Sequence, residues 1–397
     1  MESQTPKKVL IYHRSLDATA SGGEFLPLTL ISELQRRHCE VTLALDWPSD
    51  VADCAKRFGV EIDADAIHVI YIKPKNRFLR DIDVALPFYR SRLMKRRARH
   101  FDVCISTFNI FDFGRSAHHF ILTLGINDNE FKDYYTHHRA RGRLTRMYRK
   151  CRSLLVNYVV RPLLGVRSPR AILKDPQERV YPTSLYVNRT MREFFGPFNG
   201  IPFYPPTTYH PGPVDDAAHD PLKVVYIGLL SPHKHLSDII SIVERARGMS
   251  GVDIKLDIGG RVERNHYCRH MKAVCAKKGW IRFVGPKYGK EKEEFLCSGA
   301  YAVHATRVEA FGIAITEYLK SGLVPLVPDE GGACEIVDSK DLTYSTIDEA
   351  AGILVRLVTD KAFREGRQRH CRERALEFTS EKYAERQRAL LDTILNK

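Results

Sequence analysis

Long apolar runs are what this 397-residue sequence most clearly lacks. The longest, residues 154–166, is broken by Asn157, Arg161 and Pro162, whereas a membrane-spanning helix needs about 20 consecutive apolar residues. The sequence therefore reads as one that does not cross a bilayer. Residues 1–8 are polar and the apolar stretch 9–12 is too short for the core of a secretory signal, so a cytoplasmic location is expected. Paired cysteine spacing is missing too: nine cysteines lie scattered, which excludes a disulfide framework and fits thiols in a reducing compartment. His266, Cys268, His270 and Cys275 cluster, but not at the spacing of a zinc finger, and no metal site is expected. Acidic residues are absent from 139–161, which carries eight Lys/Arg, and residues 73–99 hold ten against Asp81 and Asp83. With a net charge of +14 (62 basic minus 48 acidic), such fields favour anionic partners or simply face water.

What is present is an alternation of short apolar runs and amphipathic stretches. Lys8–His13 reads as a buried parallel strand, residues 24–37 as a helix with Phe25, Leu28, Ile31 and Leu34 on one stripe, and Glu40–Leu45 as a strand again. Runs at 67–72, 103–106 and 120–124 continue the pattern. Residues 204–221 interrupt it with Pro205, Pro206, Pro211, Pro213 and Pro221, a linker composition. Strand-like runs at 223–227, 253–258, 281–284, 301–304 and 324–327 then alternate with helical segments. The expected fold class is α/β, with two Rossmann-like, doubly wound domains facing a central cleft. The expected boundaries are 1–205, a linker at 206–221, and 222–379, with the final helix 380–397 crossing back to the first domain.

The stretch 303–317, V-H-A-T-R-V-E-A-F-G-I-A-I-T-E, carries the clearest chemistry. A strand end leads through a short loop to Gly312, where a helix begins and its free amides can hold phosphate oxygens. Glu309 precedes that helix end and Glu317 lies more than one turn inside it. A phosphate at Gly312 and Ile313 would leave one carboxylate for hydroxyls on either side, as a nucleoside-diphosphate sugar requires.

This stretch resembles the E-x7-E motif of glycosyltransferase family 4, whose members have the two-domain type-B fold. Residues 226–236 (Y-I-G-L-L-S-P-H-K-H-L), 256–260 (L-D-I-G-G), 281–285 (I-R-F-V-G) and 318–337 (Y-L-K-S-G-L-V-P-L-V-P-D-E-G-G-A-C-E-I-V) match that family's segments in order. The first half is similar more loosely, through Gly22, Gly23 and 187–206. The resemblance implies a retaining hexosyltransferase using a UDP- or GDP-sugar, with no cofactor and no metal, acting on a glycan or lipid-linked acceptor. It implies that Glu309 contacts the donor sugar and Glu317 the ribose. Lys234 would neutralise the diphosphate and, with Glu309, form the catalytic pair. Amides at Phe311, Gly312 and Ile313 would hold the distal phosphate, and Gly228, Gly285, Gly22 and Gly23 would let backbone approach the donor.

Two departures from the family pattern stand out. Leu229 occupies the place where the family often has an arginine, leaving Lys234 with more of the charge, helped by Arg261, Arg264 or Arg307. No histidine falls where the family often has one after the fourth strand of the first domain; His118 and His119 come too early, and His13 ends a different strand. The basic segments 90–99 (from Arg90 to Arg99) and 143–159 (from Arg143 to Val159) suggest peripheral attachment to an anionic membrane surface on its inner face. In the second, Leu144, Met147, Cys151, Leu154, Leu155, Tyr158 and Val159 would form one apolar stripe. Three alternatives stand beside this reading. A phosphorylase or sugar-nucleotide epimerase would share the fold. A metal-dependent type-A transferase would use the Asp63/Asp65 or Asp81/Asp83 strings, which lie outside the nucleotide-binding half. A basic nucleic-acid-binding protein would need aromatics interleaved with Lys/Arg on a sheet, and none are so placed, so no nucleic-acid partner is expected.

Overall fold

The computed structural model describes residues 5–16, 22–72, 86–124, 154–207, 209–212, 219–261 and 266–396, with the single positions 131, 134, 147, 148 and 151. The chain divides into two compact units, residues 1–208 with 383–397 and residues 209–382.

The first unit is built on a parallel sheet in the order β3-β2-β1-β4-β5-β6. Its strands are β1 (Lys8–His13), β2 (Glu40–Leu45), β3 (His68–Tyr71), β4 (Val103–Ser106), β5 (His118–Ile121) and β6 (Arg179–Pro182). Between them run α1 (Phe25–Arg36), α2 (Val51–Phe58), α3 (Leu86–Ala98) and α4 (Pro169–Lys174), and α5 (Leu185–Phe195) follows β6. Strands covered on both faces need apolar residues at every position, and β1 shows why. Val9 and Ile11 enter a core with Leu28, Ile31 and Leu34 of α1. Leu10 and Tyr12 point the other way, against Met94, Phe111 and Phe113. Helix ends are fixed locally: the Asp50 carboxylate accepts from the Asp53 amide at the start of α2, and Gly59, in the left-handed region, ends it.

The second unit repeats the topology, in the order β12-β11-β10-β7-β8-β9. Its strands are β7 (Asp220–Ile227), β8 (Lys255–Gly259), β9 (Ile281–Gly285), β10 (Gly299–Val303), β11 (Val324–Pro328) and β12 (Thr343–Tyr344). Its helices are α6 (Leu236–Ser250), α7 (His266–Ala276), α8 (Gly289–Cys297), α9 (Ile313–Lys320), α10 (Gly332–Val337), α11 (Ile347–Thr359) and α12 (Lys361–Ala375). Read from the opposite edge, this is the same order as in the first unit, so the α/β, doubly wound class expected from the sequence is what each unit adopts. The strand order reverses between β7 and β10. In open parallel sheets, ligands bind beyond the strand carboxyl ends at this point of reversal.

The last helix, α13 (Ser380–Leu395), returns to the first unit. Tyr383, Leu391, Ile394 and Leu395 join the core around α1, and the Tyr383 hydroxyl lies 3.1 Å from that of Thr29.

Candidate active site

The loops that leave β7 and β10 meet at the reversal point of the second sheet. After β7, Gly228 leads to a short 3-10 turn, Pro232–Lys234, that presents the lysine. After β10, residues 304–311 form the loop that carries Glu309. Lys234 Nζ reaches Glu309 Oε2 at 2.6 Å, with side chains 30% and 20% exposed. The pair bridges the two halves of the sheet.

Glycine allows the backbone crowding around this pair. A Cβ at Gly228 would lie 2.7 Å from the Tyr226 hydroxyl, and one at Gly260 only 1.8 Å from the Gly228 carbonyl oxygen. The ends of β7, β8 and β9 are thereby drawn together: Gly228 N–H donates to the Gly259 carbonyl at 3.1 Å and Gly260 N–H to that of Gly285 at 2.8 Å. The Glu309 loop rests on a second glycine pair. Gly332 N–H donates to the Glu309 carbonyl at 2.7 Å, and a Cβ at Gly332 would stand 2.4 Å from the Ala310 oxygen. That contact explains the G-G of the 331–332 segment.

Gly312, at φ 108°, opens α9 with no side-chain cap, so the first amides of the helix face outward beside Glu309. Phe311 is itself buried, its ring 6.1 Å from Phe378, so it can offer the site only its backbone amide. Glu317 is 6% exposed and does not stand free. Lys292, from α8, places Nζ 2.5 Å from Glu317 Oε1 and 5.3 Å from the centre of the Tyr209 ring. The next residue, Tyr318, ties α9 to the end of β7: its hydroxyl accepts from the Ile227 amide at 2.9 Å. Lys234, Glu309, Phe311, Gly312, Ile313, Glu317, Gly228 and Gly285 thus belong to one end of one sheet. Gly22 and Gly23 lie in the first unit, in the 3-10 turn Gly22–Glu24 that leads into α1.

The electrostatics follow from burial and partners. Burial works to raise the Glu309 carboxyl, but the neighbouring His304 and Lys234 outweigh it and hold the group at about 2. Glu309 is therefore a carboxylate throughout the neutral range. Desolvation lowers Lys320, one turn from Glu317, to about 8, against the pull of Glu317 and Glu381.

Several neighbours carry no signal that sequence pattern reads. His304, 3% exposed, sets Nε2 3.5 Å from Glu309 Oε2, longer than a formed hydrogen bond. Among the described residues, Tyr226 Oη, Ser231 Oγ, His304 Nε2 and Thr306 Oγ1 are buried without a hydrogen-bond partner. They sit on β7 and on the two loops that carry Lys234 and Glu309. An unpaired buried polar group costs about 1–3 kcal/mol, so their concentration here marks a place for a polar ligand.

Other candidates fall elsewhere. Leu229 follows Gly228, Arg307 is turned to Asp329 at 3.3 Å, and Arg264 lies outside the described residues. On α7, Cys268 and Cys275 are buried while His266 and His270 are exposed, so these four side chains do not converge. Asp63 spends its carboxylate on the Asp65 and Ala66 amides of its own turn, and Asp81 and Asp83 are outside the described residues. In the first unit His13 is buried against Thr107, while His118 and His119 pair with Tyr181 and Glu178.

Residues 214–377 match the family model described as glycosyl transferases group 1. A 116-residue stretch is 30% identical to a GDP-mannose-dependent alpha-mannosyltransferase of Mycobacterium tuberculosis, covering 29% of this chain and 27% of that relative. The whole chain is similar in fold to solved glycosyltransferases. Sucrose-phosphate synthase of Thermosynechococcus elongatus matches at a TM-score of 0.68 and 16% identity, over 98% of this chain and 99% of the other. WaaG, a glycosyltransferase involved in lipopolysaccharide biosynthesis, matches at 0.66 and 13%, over 97% and 99%. HepE of Anabaena, solved with UDP and glucose, matches at 0.64 and 12%, over 98% and 100%. The resemblance to type-B glycosyltransferases read from the sequence is borne out by both kinds of match.

Proposed function

With a glycosyl transferases group 1 domain as its second unit, we propose that the chain moves a hexosyl group from a UDP- or GDP-sugar to an acceptor hydroxyl with retention of configuration. The observation that carries this is the placement of Lys234, Glu309 and the open start of α9 around one reversal point. The amides at Gly312 and Ile313 and the Lys234 ammonium take the diphosphate, whose leaving oxygen gains charge as the glycosidic bond breaks. Glu309 takes hydroxyls of the transferred sugar. Glu317, nearly buried and already hydrogen-bonded by Lys292, takes the ribose. Gly22 and Gly23 are assigned to backbone approach at the donor, and the acceptor to the first unit. In the same-face displacement, the acceptor oxygen bonds to the anomeric carbon, the bond to the phosphate oxygen breaks, and that oxygen receives the acceptor's proton. Neither a metal nor a cofactor takes part.

Support for a nucleotide-sugar donor comes from the fold shared with a UDP- and glucose-bound protein and from the local identity to a GDP-mannose-dependent one. These two leave the base open between uracil and guanine. Thermal stabilisation by UDP-, GDP- and ADP-sugars identifies the donor, because a ligand that binds only the folded state raises its melting point. An inverted product by NMR, or activity abolished by EDTA, would refute the mechanism while leaving the site in place.

A membrane surface is the proposed place of the acceptor. No helix among the described residues is long and apolar enough to cross a membrane. Within the first unit, however, Tyr148, Leu154, Leu155, Tyr158, Val159 and Leu163 are all exposed. Eight of the seventeen positions of the basic segment 143–159 lie outside the described residues, and the chain just after it meets α3, whose Arg92, Arg96 and Arg97 are exposed. Lys95 of α3 donates to the Gly165 carbonyl and Arg161 lies over the Phe88 ring at 5.1 Å, so the apolar and basic surfaces adjoin. An apolar patch beside cations suits the headgroup layer, with each cation contributing about 1 kcal/mol near an anionic surface. Co-sedimentation with anionic but not neutral vesicles, lost at high salt, is the expected result; equal recovery in the supernatant with both would assign the patch to solvent and the acceptor to solution.

A further inference from the structure

Lys234 and Glu309 satisfy each other in the structure, yet the proposed reaction needs them apart, the ammonium on the diphosphate and the carboxylate on the sugar. A diphosphate draws Lys234 away and at the same time shields the site from water. Glu309, with only 20% of its side chain exposed, then loses one of the two groups that hold its charge, and a poorly solvated charge that loses a partner is costly.

His304 is the group placed to replace it. Its Nε2 is 3.5 Å from Glu309 Oε2 and has no hydrogen bond among the described residues. The backbone at this position is held from two sides: the His304 amide donates to the Leu326 carbonyl at 2.9 Å, and the Tyr344 hydroxyl donates to the His304 carbonyl at 2.5 Å. The ring is thus anchored to β11 and β12 and stays beside Glu309 when the lysine of a different loop moves. We infer that His304 carries the charge of Glu309 when Lys234 leaves it, as a positioning residue that takes up a proton when the donor binds. This rests on the donor-site reading above. The balance is simple. Lys234 keeps its proton and exchanges a carboxylate oxygen for phosphate oxygens, and the imidazole receives one proton from solvent.

The charged and titratable groups on the neighbouring elements leave this role to His304. Among the described residues, besides Glu309 and Lys234, they include Tyr226 on β7, Tyr344 on β12, Asp238 on α6, which is an acid and cannot supply positive charge, and the Arg307–Asp329 pair. Burial pushes both phenols up, so neither carries charge at neutral pH. Arg307 is occupied by Asp329 and by the Ser345 carbonyl.

Calorimetric titration of the full chain with UDP and with GDP at neutral pH, in buffers of different ionisation enthalpy, counts the protons directly. Wild-type protein is expected to take up a proton, approaching about one per nucleotide bound. His304→Gln keeps a donor but cannot titrate; it should bind nucleotide without linked uptake and lose roughly tenfold or more in kcat, with a smaller change in donor KM. His304→Ala, with its melting point measured to verify folding, should lose more, and recovery in the Gln variant marks a hydrogen-bonding role. Nucleotide binding to the wild type without proton uptake overturns the inference alone, as does the same uptake in His304→Gln. If neither nucleotide binds, the inference and the donor site fall together.

Discussion

Both sheets reverse their strand order at the same place, but the polar groups there are disposed differently. In the first unit several are matched to one another, although Arg90 Nε and Thr183 Oγ1 find no partner among the described residues. His13 Nδ1 lies 2.9 Å from the Thr107 hydroxyl, Tyr12 donates to Asp46 at 3.2 Å, and Arg90 reaches Asp46 at 2.7 Å. In the second unit Tyr226, Ser231, His304 and Thr306 each carry a buried polar atom without a partner among the described residues, around one ion pair. Topology supplies a location in both units. In the second the unpartnered atoms gather around a single ion pair, and unfinished groups are what a ligand completes.

The sharpest way to break this comparison is to remove the second unit's carboxylate. Glu309→Ala should cost about 2–4 kcal/mol in the transition state, or about 10²–10³-fold in turnover, with the melting point measured to verify that the variant is folded. Glu317→Ala should fall in the same range; unchanged transfer by both variants would remove the site assignment. The first unit's counterpart experiment is on stability. Burial lowers His13 to about 4 from 6.5, against a hydrogen bond that the ring gives to the Thr107 backbone. The unfolded chain therefore binds a proton that the folded one refuses. Stability is complete above pH 6.5 and falls as pH drops towards 4, by about 3 kcal/mol. His13→Asn should flatten that slope in denaturant melts. Glu309 belongs to a separate, more acid window, between 4.5 and 2, where its paired carboxylate must be neutralised.

Two glycines sharpen the contrast further. Gly332→Ala places a methyl 2.4 Å from the Ala310 oxygen and must displace the Glu309 loop, which should lower stability by roughly 1–3 kcal/mol and activity with it. Gly59→Ala, at φ 66° with nothing within 4 Å, should cost only about 1 kcal/mol and leave transfer intact.

Much of this architecture is legible in the sequence because parallel strands buried on both faces are continuous apolar runs. Lys8–His13 and Glu40–Leu45 fall where those runs do. β6 is hard to read because Arg179 and Pro182 bound a segment with only two apolar residues, and β12 because it is two residues long. The spacing of Glu309 and Glu317 was readable, since both lie within one loop-helix segment. Their cations were not equally so. Lys234 sits in a recognisable motif, but Lys292 comes from α8, and only the folded sheet brings it to Glu317. His304 stood in plain view inside the 303–317 stretch; what no pattern could show is that its ring is buried and faces the carboxylate.

The return of α13 to the first unit has a consequence for biosynthesis. The first unit takes in segments on both sides of the second in the sequence, so the second is an insertion completed before the first has residues 383–397. During translation the second unit can close its own sheet while α1 still waits for Tyr383, Leu391 and Ile394 to emerge. A proteolytic cut within residues 383–397 would therefore wound the first unit, where Tyr383 meets Thr29 across 354 positions of sequence, and spare the second.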